Sequence, residues 1–292
     1  LTGIKIDGKQ IAQSIKDDTK KDVLKLKEQN VLPCLATILV GDDSASATYV
    51  KNKHKACQEV GILTRDHKLA SSTTLEQLCD LIDSLNSDHT VHGILVQLPL
   101  PEHLDEFIIT SRISPSKDVD GLTPYNVGLL SIANKKKQNS TNILVACTPS
   151  GIMKMFDYHN IDLTGKDIVV INRSNLIGKP LYHLLLARDA TVITCHSKTK
   201  NLAEYCKRAD VIITAVGNRD NFELTTDMIK EDAIIIDVAI TRYNQKLAGD
   251  ADYEKIIQKA SFATPVPGGV GPMTVAMLLK NTVLAASSSH NT

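Results

Sequence analysis

Within residues 44–60, Tyr49, Lys53, Ala56, Cys57 and Val60 recur at i, i+4, i+7, i+8 and i+11, which places Lys53 on the apolar stripe of an expected helix. Lys51 and Lys55 fall off that stripe. A lysine on a buried face loses hydration, and desolvation favours the neutral amine, which can take a proton from water near neutral pH. The same lysine could instead pack its stem and extend its ammonium to solvent. The helix alone leaves both readings open. Its hydroxyl residues from Ser44 onward suit an N-cap, and Gly61 suits its end.

A second set of residues points to a nucleotide. The strand expected at 167–172 runs into Arg173-Ser174-Asn175-Leu176-Ile177-Gly178-Lys179-Pro180, where the chain could cradle a pyrophosphate. Only Gly178 is present, so the G-x-G-x-x-G fingerprint is missing, and a plain strand-to-helix turn is an equal reading. The next strand ends in Cys195-His196-Ser197-Lys198, where an NAD site would place an acidic residue for the ribose 2′-hydroxyl. With Arg173, these residues offer cationic and hydroxyl donors to a 2′-phosphate, which favours NADP over NAD.

Two rigid loops expose main chain, Val96 to Pro101 at a strand end and Pro265 to Thr274. Glycines let a flat ligand approach the peptide plane and prolines hold that surface in one shape, although a tight domain-crossing turn would use the same residues. Lys117-Asp118-Val119-Asp120-Gly121 adds carboxylates beside a turn, where Asp118 also reads as a cap.

The elements that must carry these groups alternate. An amphipathic helix spans 11–26, buried strands are expected at 35–40 and 93–98, and helical patterns at 44–60 and 74–86, giving a mainly parallel sheet. After the turn-rich stretch 114–124 and the polar run 135–142, short strands at 167–172, 191–196, 210–215 and 233–238 suit a doubly wound nucleotide-binding domain. The α/β chain is therefore divided into a first domain, 1–143, and a Rossmann-like domain, 144–271, with a cleft between them. A last helix at 274–285 returns the chain to the first domain, which 272–292 completes.

Composition narrows the function classes. Thirty-three basic residues balance thirty-three acidic ones, and no basic tract exceeds Lys135 to Lys137, so no nucleic-acid partner is expected. Hydrophobic residues make up 42% of the chain, but in short runs, so no membrane partner is expected either. The six cysteines are scattered and read as reduced packing thiols in a cytoplasmic protein. His89 and His92 stand three apart without further ligands, and no metal is expected.

Together these segments resemble the methylenetetrahydrofolate dehydrogenase/methenyltetrahydrofolate cyclohydrolase family. The matches are Tyr49 to Lys53, His92 to Pro99, Lys117 to Leu122, Cys147 to Gly151, Arg173-Ser174 with Gly178 and Pro180, Cys195 to Ser197, and Pro265 to Thr274, spread in order over nearly the whole chain. The resemblance implies an N-terminal folate domain in which Lys53 is the catalytic lysine, Gln97 hydrogen-bonds near it, Tyr49 lies against the folate, and Asp120 binds the pterin ring. Val96, Leu98, Pro267, Gly268, Gly269, Val270 and Gly271 would complete the folate site. Asn172, Arg173, Ser174, Ser197 and Ile240 would contact NADP, and a homodimer through the cofactor domain is implied.

Three positions depart from the family pattern: Asn172 and Ala239 stand where glycine is usual, and Arg219 where proline is usual. They bear on cofactor affinity and on the choice between NADP and NAD. Alternatives are a monofunctional NAD-dependent dehydrogenase, against which Lys53 counts, and a folate- or nucleotide-binding homologue without turnover. In the expected chemistry the substrate methylene lies between two nitrogens that stabilise the cation left by hydride loss, so oxidation is a matter of positioning. Hydrolysis of that cation needs a base, and Lys53 is the candidate.

Overall fold

The computed structural model describes residues 2–133 and 143–290, so the polar run at 135–142 lies outside the described residues. The chain forms two units. One comprises residues 13–132, 143–147 and 275–290, the other residues 2–12, 133 and 148–274.

In the first unit β2 (Cys34–Val40) is buried at every position and is flanked by β3 (Leu63–Leu69) and β4 (Gly93–Val96) in a parallel sheet ordered β3-β2-β4. Continuous apolar runs are what parallel strands covered on both faces require. β3 was not legible in the sequence because it carries Arg65, Asp66, His67 and Lys68; it is an edge strand, where charge blocks further pairing. The helices expected at 44–60 and 74–86 form as α2 (Ser44–Val60) and α3 (Leu75–Ser87). α3 opens on a capping box between Thr74 and Gln77. Two shorter helices follow, α4 (Glu106–Arg112) and α5 (Pro124–Ile132).

The second unit is a six-stranded sheet, all parallel, ordered β1-β11-β8-β7-β5-β6. Its strands are β1 (Ile4–Lys5), β5 (Asp167–Ile171), β6 (Thr191–Cys195), β7 (Val211–Thr214), β8 (Ile234–Asp237) and β11 (Phe262–Ala263). β5 to β8 occupy the four stretches expected to be strands. β1 and β11 pair over two residues each, too short for any alternation to reveal. β9 (Thr241–Tyr243) and β10 (Lys246–Ala248) form a separate hairpin. Among the connecting helices are α6 (Cys147–Tyr158), α7 (Gly178–Leu186), α8 (Leu202–Arg208) and α9 (Tyr253–Ile256).

Two helices run longer than their apolar periodicity: α1 covers Gly8–Glu28, and the last, α10, covers Val270–His290. By length and composition α10 could cross a membrane, which the short apolar runs did not suggest. Yet 61% of that stretch is buried, and Met277, Leu278, Leu279 and Val283 pack with Leu35, Leu95 and Val119. Asn281 interrupts the apolar pattern and donates to the carbonyls of Val119 at 2.8 Å and Val145 at 2.9 Å, as a buried polar side chain in a core helix must. All six cysteines are free, and burial pushes the Cys57 and Cys206 thiols up to about 12.

Candidate active site

α2 holds Lys53. The helix starts on the carboxylate of Asp43, which accepts from the Ser46 amide at 2.7 Å, rather than on a hydroxyl residue. It ends at Gly61, whose φ of 87° suits glycine and lets its N–H reach the carbonyls of Cys57 and Gln58. Ala56, Cys57 and Val60 are buried, Lys53 is half-buried, and Lys51 and Lys55 are exposed, as the stripe requires. The Lys53 Nζ donates to Gln97 Oε1 at 3.0 Å. Gln97 sits just past β4, anchored by its own N–H to the Ile38 carbonyl at 2.9 Å. Tyr49, one turn before Lys53, is 50% exposed. The next residue, His54, lies 2.9 Å from Thr37 Oγ1 and 2.8 Å from Asp66 Oδ1, tying α2 to β2 and β3 beside the lysine.

The carboxylates of the 117–121 turn divide their work. Lys117 donates to the carbonyls of Leu85, Asn86 and Asp88 at 2.9, 2.8 and 2.8 Å and so closes the end of α3. Asp118 is buried and accepts from the amides of Leu122 at 3.0 Å and Thr123 at 2.8 Å and from Asn126 Nδ2 at 2.9 Å. Its cap-like reading is therefore a full clamp on the turn. Gly121, at φ 68°, packs so closely that a Cβ would lie 2.4 Å from the Ala146 nitrogen.

Asp120 is left for other work. Burial lifts its carboxyl above the usual range, the Lys53 ammonium pulls it back, Asp118 adds to the lift, and the Cys147 thiol donates to it. Cys147, itself raised well above the ordinary thiol by burial and by Asp120, has a single S–H to share between that carboxyl and the Val119 carbonyl at 3.3 Å. Lys53, Gln97, Asp120 and Cys147 thus form one electrostatically linked group. In the sequence Cys147 reads as a packing thiol, and Asn281 is marked only by being an amide inside an apolar run.

In the second unit Asn172, Arg173 and Ser174 follow β5. The Asn172 Oδ1 accepts from the Ser174 amide and hydroxyl, both at 2.8 Å, and from the Gly178 amide at 3.0 Å, while its Nδ2 donates to the Ala215 carbonyl at 2.8 Å. Both side chains thus organise the turn. A Cβ on Gly178 would lie 2.1 Å from the Asn172 oxygen, which explains the single glycine.

β5 and β6 are paired through Ile171 and Cys195, so Arg173 and Ser197 each lie two residues beyond a matched register. Both are exposed, and neither makes a side-chain hydrogen bond or ion pair among the described residues. Ile240, after β8, is 43% exposed. Chain order reverses between β5 and β7, and the crevice beyond such strand ends is where doubly wound sheets take nucleotides. A glycine turn at that point, with an unpaired arginine and serine on adjacent strand ends and no carboxylate after β6, fits NADP.

The remaining expected folate residues differ in what they can offer. Val96 and Val270 are buried, at 4% and 2% exposure, so their side chains are taken up by packing, and Leu98 is half-buried against the Val96 cluster. Pro267 is exposed, Gly268 and Gly271 are half-buried, and Gly269 is buried with a Cβ position 2.5 Å from the Pro265 carbonyl oxygen.

Comparison with known proteins matches these two chemistries to two family models. Residues 6–120 match the tetrahydrofolate dehydrogenase/cyclohydrolase catalytic domain, and residues 146–290 match the NAD(P)-binding domain of the same name. The chain is 71% identical to the bifunctional protein FolD of Nitrosopumilus maritimus, over 99% of this chain and 98% of that one. Against the FolD of Cenarchaeum symbiosum identity is 60%, over 97% and 98%. Among solved structures, the bifunctional FolD of Campylobacter jejuni superposes with a TM-score of 0.92 at 47% identity, covering 97% of this chain and 98% of that one. The Trypanosoma brucei dehydrogenase-cyclohydrolase, complexed with NADP and an inhibitor, gives 0.92 at 35% identity with both chains fully covered.

Proposed function

The chain belongs to the tetrahydrofolate dehydrogenase/cyclohydrolase family, and from that premise we propose how its side chains divide the two reactions. It is a bifunctional enzyme that oxidises 5,10-methylenetetrahydrofolate to 5,10-methenyltetrahydrofolate with NADP and hydrolyses the product to 10-formyltetrahydrofolate. NADP supplies the oxidant of the first reaction. The protein's part in that step is to hold the folate, with Asp120 as hydrogen-bonding partner of the pterin and Tyr49 as its exposed flat surface.

Hydrolysis asks more of the chain. Water attacking the methenyl carbon must lose a proton, and Lys53 takes it as the neutral amine, turned toward the reacting carbon by Gln97. The observation that carries this reading is the 3.0 Å contact between Lys53 and Gln97 on the apolar stripe of α2. The main chain at Val96 and Leu98 lines the folate, while Arg173 and Ser197 take the 2′-phosphate of NADP on a turn shaped by Asn172 and Ser174, with Ile240 against the cofactor.

The second unit pairs with its copy in a homodimer; it exposes Tyr182, Leu186, Tyr243 and Leu247, apolar surface that self-association would cover. Six free cysteines suit the reducing cytoplasm, where a 10-formyl donor serves purine biosynthesis. Following methenyl formation and decay with NADP and with NAD tests the reading. Turnover with NADP and hydrolysis of added methenyltetrahydrofolate are expected, and failure of either step overturns the assignment.

A further inference from the structure

Beyond β7 the chain continues as Ala215-Val216-Gly217-Asn218-Arg219, and two charged side chains hold this loop from opposite directions. Asp250 is fully buried. Its Oδ2 accepts from the Thr214 hydroxyl at 2.6 Å and the Val216 amide at 2.7 Å, and its Oδ1 from the Gly217 amide at 3.0 Å. Arg219 reaches back from the loop: its guanidinium donates to Glu223 Oε1 at 2.7 Å and to the Gly249 carbonyl at 3.5 Å, and lies 5.9 Å from the centre of the Tyr243 ring. Its side chain is only 10% exposed.

The segment that receives both contacts is itself fixed. Asp237 accepts from the Ala251 amide at 2.8 Å, and Gly249 passes so near that a Cβ there would lie 2.1 Å from Asp237 Oδ2. At its start the loop receives the Asn172 amide on the Ala215 carbonyl, so one chain of hydrogen bonds runs from Asp250 through the loop to the 172–178 turn.

We propose that Asp250 and Arg219 are positioning residues for the dinucleotide, clamping the 215–219 loop beside the β5–β7 switch point and thereby setting cofactor affinity without touching the cofactor. The inference rests on the NADP reading of that crevice. A guanidinium anchored at three points stiffens the loop, as the ring of a proline would through its fixed φ. A carboxylate accepting three hydrogen bonds has no substitute in an amide, because one arm of asparagine would face the donors with donors of its own.

The enzyme supplies its own control, because hydrolysis of added methenyltetrahydrofolate needs no nucleotide. Asp250→Asn and Arg219→Ala are each expected to raise the KM for NADP about tenfold, the loss of a hydrogen bond to a charged group. Their kcat at saturating NADP, their KM for methylenetetrahydrofolate and their cyclohydrolase rate should stay within about twofold of wild type. Arg219→Lys should recover part of the loss, since an ammonium can meet Glu223 but cannot also lie flat over Tyr243. An unchanged KM for NADP in both variants, or a parallel fall of cyclohydrolase activity, overturns the proposal. A wild type that reduces no NADP overturns the nucleotide reading instead, so the two failures are distinguishable.

Discussion

Gln97 and Lys53 are locked in one orientation: the Gln97 Oε1 accepts from Lys53 while its Nε2 donates to the adjacent Leu98 carbonyl at 2.7 Å. Reversing the amide would set a donor against the ammonium and an acceptor against a carbonyl, so both contacts select the same rotamer. The lysine therefore meets the substrate from a fixed direction, with its one neutral partner beside it.

Replacing Lys53 by methionine keeps the apolar stem and removes the proton acceptor. Cyclohydrolase activity should fall by roughly 10²–10⁴-fold, the usual worth of a positioned base, while dehydrogenase activity remains measurable. The two rates are separated by following methenyl absorbance as it appears from methylenetetrahydrofolate and as added methenyltetrahydrofolate disappears. Equal losses would mean that Lys53 only shapes the folate site.

Gln97→Glu makes the neutral partner an anion at the same distance. A carboxylate there pairs with Lys53 and competes with the attacking water for it, so hydrolysis of added methenyltetrahydrofolate should slow at least tenfold. An unchanged rate would detach Gln97 from the work of Lys53.

The stripe that put Lys53 on the buried face was legible because α2 is amphipathic and a period of 3.6 survives in sequence. The partners of Lys53 were not readable from periodicity, since Gln97 and Asp120 reach it through the pairing of β4 with β2 and through the clamp of Asp118 on Leu122 and Thr123. Only the family resemblance named them. In the second unit the apolar strands were plain, whereas Asp250 looked like any acidic loop residue because its three donors lie 33, 34 and 36 positions away. Long-range polar contacts leave no local pattern.

Asp120→Ala should weaken binding of folates at least tenfold and leave NADP binding intact, because the carboxyl is linked to Lys53 and Cys147 and its loss removes one buried hydrogen-bonding group. Titrating each ligand separately checks this. Loss of both together would indicate a disrupted fold.

Gly178→Ala drives a methyl group to 2.1 Å from the Asn172 carbonyl oxygen and 2.8 Å from the Arg173 Cα, both main-chain atoms that cannot swing aside. The turn must open, at a cost of about 1–3 kcal/mol. NADP affinity should fall while hydrolysis of added methenyltetrahydrofolate persists, and unaltered NADP titration would show that the turn has room.

Burial, opposed by the amides of Ala251, Asp250 and Ala239 and reinforced by the charge of Asp250, raises the Asp237 carboxyl from 3.8 to about 7. Below about pH 4 the group is protonated in folded and unfolded chains alike; between there and about 7 the unfolded chain releases the proton that the folded chain retains. Ionisation in that window favours unfolding. Its contribution is thus complete at low pH and is lost as pH rises to about 7, at about 1.4 kcal/mol per pH unit. Asp237→Asn cannot titrate, so the stability difference between wild type and variant should shrink from pH 5 to pH 7 and then level off. Urea unfolding midpoints at unit pH intervals measure it, and parallel curves across the window would mean that Asp237 is already ionised in the folded protein.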